Sequence, residues 1–300
     1  MSRAAANLVL LLAGAIWGMG FVAQSTAMDA VGPLTFIGLR FLVAAAFIAP
    51  FAWFEARKAP APLEGGNMSG FVVIGLVLFA SIALQQYGLT ITSVTNSGFL
   101  TGLYVVMVPI LSFVVLRISP HPLVWPAVVL AFSGIWLLAG GNLIALNAGD
   151  LLTIACALGW SIQVLLIGRY SEGSGRPIAL SLVQFVVCAA LGLASALVLE
   201  DIALASIAAA LPEILFAGIF ASGIAFTLQV VGQRYTTAPQ AAIFLSTEAI
   251  FAAIFGAILL GERIPPAGYL GGTMIFAAIL LVEVGPIYLR RRSAGQIKES

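Results

Sequence analysis

The chain has 300 residues, 61% of them hydrophobic and 8% charged, with a net charge of +1 and a mean hydropathy of +1.11. A soluble domain is about half apolar and about a quarter charged, and surface shrinks too slowly with size for one domain to hide this excess. A soluble globular protein and a basic nucleic-acid binder are excluded, and lipid becomes the solvent for most of the chain.

Ten apolar runs follow one another, each close to the ~20 residues that a spanning helix needs. Helix 1 is predicted over 5–27. Arg3 ahead of it suggests a signal peptide, but the run is longer than a typical signal core and it takes part in the repeat described below. Helix 2 opens at Gly32-Pro33 and runs over 33–54. Glu55 to Asn67, rich in Pro, Gly and charge, leads to helix 3 over 70–91. Helix 4 follows over 95–116, and Pro120-His121-Pro122 parts it from helix 5 over 122–140. Gly141 to Gly149 joins helix 5 to helix 6 over 150–169. Helices 7, 8 and 9 cover 177–199, 209–231 and 238–260, and Pro265-Pro266 opens helix 10 over 264–286. The runs are apolar nearly all round, so helical period does not identify them. Helices are inferred because lipid offers the backbone no hydrogen-bond partner, and the runs lack the alternation of a barrel. The short connections leave no room for a soluble domain.

Orientation follows from the basic residues. With the N-terminus in the cytoplasm, Arg3, Arg57, Lys58, Arg117, Arg169, Arg176, Arg234, Arg290, Arg291, Arg292 and Lys298 all fall inside. Arg263 falls outside, among Asp29, Asp150, Glu200, Asp201, Glu213 and Glu262, and Arg40 lies within helix 2. Nine or eleven helices would spoil this sorting. Cys156 and Cys188 sit inside apolar runs and read as packed thiols, neither a disulfide nor a metal pair. The single histidine, His121, is in a loop.

The two halves resemble each other at a shift of about 144 residues, with a slip of one in places. Trp17-Gly18 corresponds to Trp160-Ser161, Gln85 to Gln229, Asn96 to Gln240, and Pro122 and Trp125 to Pro266 and Tyr269. The expected units are 1–146 and 147–290, followed by a cytoplasmic tail, 291–300. Five helices per unit is an odd number, so the second unit enters the membrane inverted. Inverted repeats are typical of secondary transporters, which hold substrate near the midplane between the halves. Duplication in a purely structural membrane protein is the alternative.

Several runs carry a recognisable pattern: Gly14-Ala15-Ile16-Trp17-Gly18, Arg40-Phe41-Leu42, Phe99 through Pro109, Leu260-Gly261-Glu262-Arg263 and Gly271-Gly272. The chain resembles, end to end, the EamA family of the drug/metabolite transporter superfamily, and within it the YddG-type amino-acid exporters of the bacterial inner membrane. The resemblance implies two inverted five-helix repeats around a central cavity lined by helices 1, 3, 4, 6, 8 and 9, with helices 5 and 10 peripheral. It also implies export of amino acids or related metabolites. The first half departs from the pattern: opposite Gly261-Glu262-Arg263 it has Arg117-Ile118-Ser119, without a glutamate. The glutamate that is present lies at a helix end and reads as structural.

Polar groups inside a membrane are expensive. Arg40 lies about seven residues from the outer end of helix 2, roughly 10 Å deep at 1.5 Å per residue. It reads as a satisfied or outward-snorkelling arginine that fixes topology, with Gln184 near its repeat position. Glu248, about ten residues into helix 9, must be protonated, paired or facing a wet cavity; Arg40 is one possible partner. Trp17 and Trp160 are too deep for the interfacial belt and become candidate cavity walls, packing being the alternative. Polar stripes run along helix 8 (Ser222, Phe226, Gln229, Gln233), helix 3 (Ser81, Gln85, Thr92), helix 4 (Ser97, Thr101, Tyr104) and helix 6 (Trp160, Gln163). They mark a shared passage or interhelical hydrogen bonds. Trp17, Gln85, Phe99, Thr101, Tyr104, Trp160, Gln163, Gln229, Gln233 and Glu248 make up the candidate substrate cavity. Gly14 and Gly18 form a small-xxx-small pair for close helix packing.

Such a cavity suits a zwitterion with an apolar side chain. It suits a phosphate-bearing ligand poorly, because no Lys or Arg cluster lies at depth. The expected function is export of aromatic and other neutral amino acids by alternating access; the alternative is multidrug efflux of cations. The small multidrug pumps of the superfamily use a glutamate in helix 1, which is absent here. An intramembrane enzyme is not expected: there is no His-Glu-x-x-His, second histidine or paired membrane aspartates. No phosphate-binding Gly-x-x-x-x-Gly-Lys loop occurs. No cofactor, metal or nucleic-acid partner is expected, and a monomer in the bacterial inner membrane is.

Overall fold

The computed structural model describes residues 1–59, 61–138 and 147–296, with side chains as far as residue 286. The linker from Gly141 to Ala145, the unit boundary at 146, the side chains of Arg290, Arg291 and Arg292, and Lys298 lie outside the described residues.

The described chain is helical, without strands. Its spans are α1 Arg3–Ala27, α2 Pro33–Lys58, α3 Gly65–Leu89, α4 Val94–Val114, α5 Val124–Leu138, α6 Ala148–Ser174, α7 Pro177–Leu199, α8 Leu211–Gln233, α9 Ala238–Leu260 and α10 Pro266–Gln296. Nine of these are long and apolar enough to cross a membrane, and α5 stops where the described residues stop. They match the ten predicted runs in order. Three bounds differ by five residues or more: α3 starts at Gly65, α6 continues to Ser174, and α10 runs on to Gln296. Hydropathy marks only the stretch that lipid solvates, whereas a helix ends where its backbone is capped. Gly175, at φ +63°, is such a stop for α6.

The start of α1 and the end of α10 lie at one end of the bundle, where Asn7 Nδ2 donates to Glu283 Oε2 at 2.5 Å; this is the terminal end, and the opposite one is the distal end. The five-helix halves cross over each other, with α2 against α7, α3 against α6, α1 against α8 and α9, and α4 against α9. Helices α5 and α10 pack mainly against each other.

Glutamates fasten helix starts between the halves. At the distal end Glu200, just past α7, accepts from the backbone N–H of Leu34 and Thr35 at 2.8 Å each, and from Thr35 Oγ1 at 2.7 Å. At the terminal end Glu55, near the end of α2, accepts from Ile178 N and Ala179 N at 2.9 Å each. The pair α2 and α7 is thus fastened at both ends. Glu262, just past α9, accepts from Val94 N at 3.2 Å, Thr95 N at 3.1 Å and the Thr95 hydroxyl. Each carboxylate sits on the positive end of a helix and satisfies N–H groups that have no partner within it.

Three spans are not plain α-helix. In α4 the α geometry is interrupted between Thr101 and Tyr104, and in α9 between Leu245 and Glu248. Both interruptions are tightened turns, with Val105 N bonding Gly102 O and Ala249 N bonding Ser246 O. The third irregularity is a π-helical stretch, Ala217–Ile224, in α8. Helix α1 seats against α9 across its interruption. A Cβ on Gly14 would lie 2.5 Å from Thr247 Oγ1, and one on Gly18 would collide with Phe251 and the backbone of Ala252.

Gly18→Leu should therefore push α1 off α9 and lower stability by about 1–3 kcal/mol, read as a drop in melting temperature of the purified protein. Gly66→Leu, where nothing lies within 4 Å, should leave the melting temperature nearly unchanged. Equal behaviour of the two variants would contradict this packing.

Candidate functional site

The interruption in α9 places Glu248 at the first turn of a new helical segment, facing the middle of the bundle. It lines a small internal cavity with Trp17, Phe21 and Gln24 of α1, Arg40 of α2, Ile82 of α3, Trp160 of α6, and Ala221 and Phe226 of α8. The cavity measures about 20 Å³, room for about one water. The larger hollows, such as the ~610 Å³ one beside Lys58 and Asn67 and the ~450 Å³ one along α3 beside Leu152, contain none of these groups.

Three rings form one wall. Trp160 and Phe226 stack with centroids 5.4 Å apart and planes at 9°, and Trp17 leans on both at 5.7 and 4.9 Å. The Trp17 indole N–H donates to Ala221 O at 2.9 Å. That carbonyl lies in the π-helical stretch, where the widened turn changes the ordinary bonding ladder. The Trp160 Nε1 is buried without a partner.

Arg40 and Glu248 are the charged members. Arg40 does not snorkel: it is 2% exposed and turned into the protein. Its Nη1 donates to Gln24 Oε1 at 2.8 Å, and its guanidinium lies 4.8 Å from the ring centre of Phe41 and 5.5 Å from that of Phe36. Its Nε has no partner. Glu248 Oε1 is likewise buried and unpartnered. Tyr104 sits beside that carboxylate, but its hydroxyl makes no hydrogen bond of ordinary geometry. Arg40 and Glu248 form no ion pair with each other. An acid and a base therefore border one cavity, each with polar atoms unspent.

The other candidate residues lie elsewhere. Gln85 Nε2 donates to Thr101 Oγ1 at 3.0 Å. Gln163, Gln229 and Gln233 form an amide chain: Gln229 Nε2 donates to Gln163 Oε1 at 3.1 Å, Gln163 Nε2 to Gln184 Oε1 at 3.4 Å, and Gln233 Nε2 to Val164 O at 2.9 Å. Phe99 is buried in the main apolar core. None of these six lines the cavity. Gly14 and Gly18 contact α9 next to Glu248. Sequence reasoning missed Gln24 and Phe21, although their spacing of seven and four from Trp17 puts all three on one helix face. It also missed Gln184 as a member of the amide chain.

Comparison with known proteins places this geometry. The sequence profile of the EamA-like transporter family matches residues 4–140 and again 147–284. An uncharacterized transporter of Archaeoglobus fulgidus is 31% identical over 288 residues, covering 95% of this chain and 87% of that protein. The uncharacterized transporter YwfM of Bacillus subtilis is 27% identical over 297 residues, covering 93% and 94%. A solved crystal structure superposes with a TM-score of 0.76 at 17% identity, covering 96% of this chain and 99% of the other; it shares the fold.

Glu248→Gln should reduce transport by about tenfold or more, the worth of one hydrogen bond to a charged group, and Trp17→Ala by a similar factor through loss of the aromatic wall, while the amount of protein in the membrane stays near that of the native chain. Native rates in both variants would remove these residues from the site.

Proposed function

Because the chain belongs to the EamA-like transporter family, with the two inverted repeats of the drug/metabolite transporter fold, we propose that it exports neutral amino acids, aromatic ones among them, or closely related zwitterionic metabolites, in the manner of the YddG-type exporters. The observation that carries this reading is the placement of Arg40 and Glu248 on one aromatic-walled cavity without an ion pair between them. A zwitterion satisfies both: its carboxylate meets the guanidinium and its ammonium meets Glu248. An apolar or aromatic side chain then rests on Trp17, Trp160 and Phe226. The fixed cation argues against lipophilic cations, and a single arginine is too little for a phosphate.

In this reading the halves 1–146 and 147–290 move against each other to widen the cavity and expose it alternately to each side. The excess of Lys and Arg at the terminal end puts both termini in the cytoplasm of a bacterial inner membrane. The chain works as a monomer in the bilayer without cofactor, metal or nucleic acid, and it carries out no chemical reaction on its cargo.

The test is uptake of labelled threonine, methionine and phenylalanine into liposomes holding the purified protein, with and without a pH gradient. Saturable uptake is expected. Uptake without a gradient makes the chain a facilitator; uptake only with one makes Glu248 the leading coupling residue. Transport of a lipophilic cation with no transport of any amino acid would overturn the proposal in favour of multidrug efflux.

A further inference from the structure

Helices α4 and α9 are repeat mates that lie side by side, so each end of the pair should be built alike. At the distal end one carboxylate joins the two helices and a second anchors the start of α4 to α6. Glu262 fastens the start of α4. Asp150 accepts from Thr92 Oγ1 at 2.8 Å and from Asn96 Nδ2 at 2.5 Å, tying α6 to the segment that leads into α4.

At the terminal end the same turns are present and both acids are gone. Arg117 takes the left-handed conformation at φ +55°, as Gly261 does at φ +70°. Ile118 N donates to Ser112 O at 3.0 Å, as Glu262 N donates to Gly256 O at 3.1 Å. Each correspondence spans 144 residues. Ile118, 59% exposed, therefore occupies the place of Glu262. At the same shift Pro239 replaces Thr95, removing a backbone N–H and a hydroxyl, so the acceptor and two of the clamp's three donors are missing. Ala6 stands where Asp150 would be. The Thr–amide pair survives without its acid, as Thr236 Oγ1 donating to Gln240 Oε1 at 3.2 Å. A hollow of about 190 Å³ lies between the end of α4 and the start of α9, bordered by Arg3, Ser112, Ser119, Thr237 and Gln240.

We propose that the terminal end of the α4–α9 pair is the gate through which the central cavity opens first, and that Glu262 with Asp150 is the latch that keeps the distal end shut. The tightened turns at 101–104 and 245–248 serve as its hinges; they stand next to Tyr104 and Glu248, so splaying Tyr104–Val114 from Ala238–Leu245 uncovers the cavity from that end. Opening there breaks no carboxylate clamp of this pair. Opening at the distal end breaks the three hydrogen bonds of Glu262 between α9 and α4, and any movement of α4 away from α6 breaks the two of Asp150 as well. The fully fastened α2–α7 pair is the rigid frame against which the gate moves. The inference rests on the transporter reading and is independent of the substrate.

Electron-spin distance measurements on the full chain in lipid nanodiscs, without substrate, test it. One label pair spans the terminal end, at Ser119→Cys and Tyr235→Cys; the other spans the distal end, at Ile91→Cys and Arg263→Cys. Cys156 and Cys188 are replaced by alanine throughout. The terminal pair should show a second, longer-distance population and the distal pair a single narrow one. Ile118→Glu with Pro239→Thr, which rebuilds the clamp, should remove the longer terminal population. Glu262→Gln with Asp150→Asn should broaden the distal pair. A narrow terminal distribution beside a broad distal one, or clamp substitutions that leave both distributions unchanged, would overturn the proposal. Should the rebuilt clamp fail to fold, the native distances and the Glu262 arm decide alone. Because no cargo is present, failure here is separate from failure of the amino-acid reading, which shows only in uptake.

Discussion

Every polar group that this chain carries into the bilayer has to find its partner within the chain. The constraint first acts on the backbone, making each span a helix. It then acts on helix ends, where Glu55, Glu200 and Glu262 reach across to N–H groups that no helix can satisfy internally. It acts last on buried side chains. Gln85 finds Thr101, and Gln229 finds Gln163. The rule is broken at several places, and four of the unpartnered atoms, Arg40 Nε, Glu248 Oε1, Tyr104 Oη and Trp160 Nε1, lie at or beside the central cavity. Buried polar atoms left unpaired cost about 1–3 kcal/mol each; the amide chain bears this cost too, at Gln184 Nε2, Gln229 Oε1 and Gln233 Oε1, but the cavity combines it with an acid and a base.

The cavity's charges also explain how a nearly uncharged protein keeps an arginine and a glutamate at depth. Arg40 is held by an amide oxygen and two aromatic faces. Such contacts orient a guanidinium without neutralising it. A full ion pair with Glu248 would satisfy both groups and leave little for a third party. Keeping them apart sacrifices stability and keeps both available.

Much of this architecture could be read from the sequence. The number of spans follows from run length and from the sorting of basic residues, and the repeat follows from pairs such as Gln85 and Gln229. Trp17 and Glu248 stood out because their depth left no interfacial explanation. The direction of Arg40 did not, since a helix that is apolar all round has no polar face by which to judge its rotation. The polar stripes were visible, but not their division between a cavity and a separate amide chain, because amides that bond each other look in sequence like amides that face water. The interruptions in α4 and α9 left no letter behind: Pro109 lies inside the continuous segment Tyr104–Val114, away from the break. Clamps between the halves depend on which ends meet in space, so Ile118 was legible only as a departure from a pattern.

The indole of Trp17 bonds to a carbonyl 204 residues further along the chain. A ribosome adding about 5–20 residues per second needs roughly 10–40 s to make that stretch. During this time α1 waits in the membrane with its indole N–H and its glycine face uncovered. Neither α8 nor α9, which cover them, has yet been made. Helix α1, made well before both, is thus completed only when they arrive, and until then the insertion machinery must shelter it.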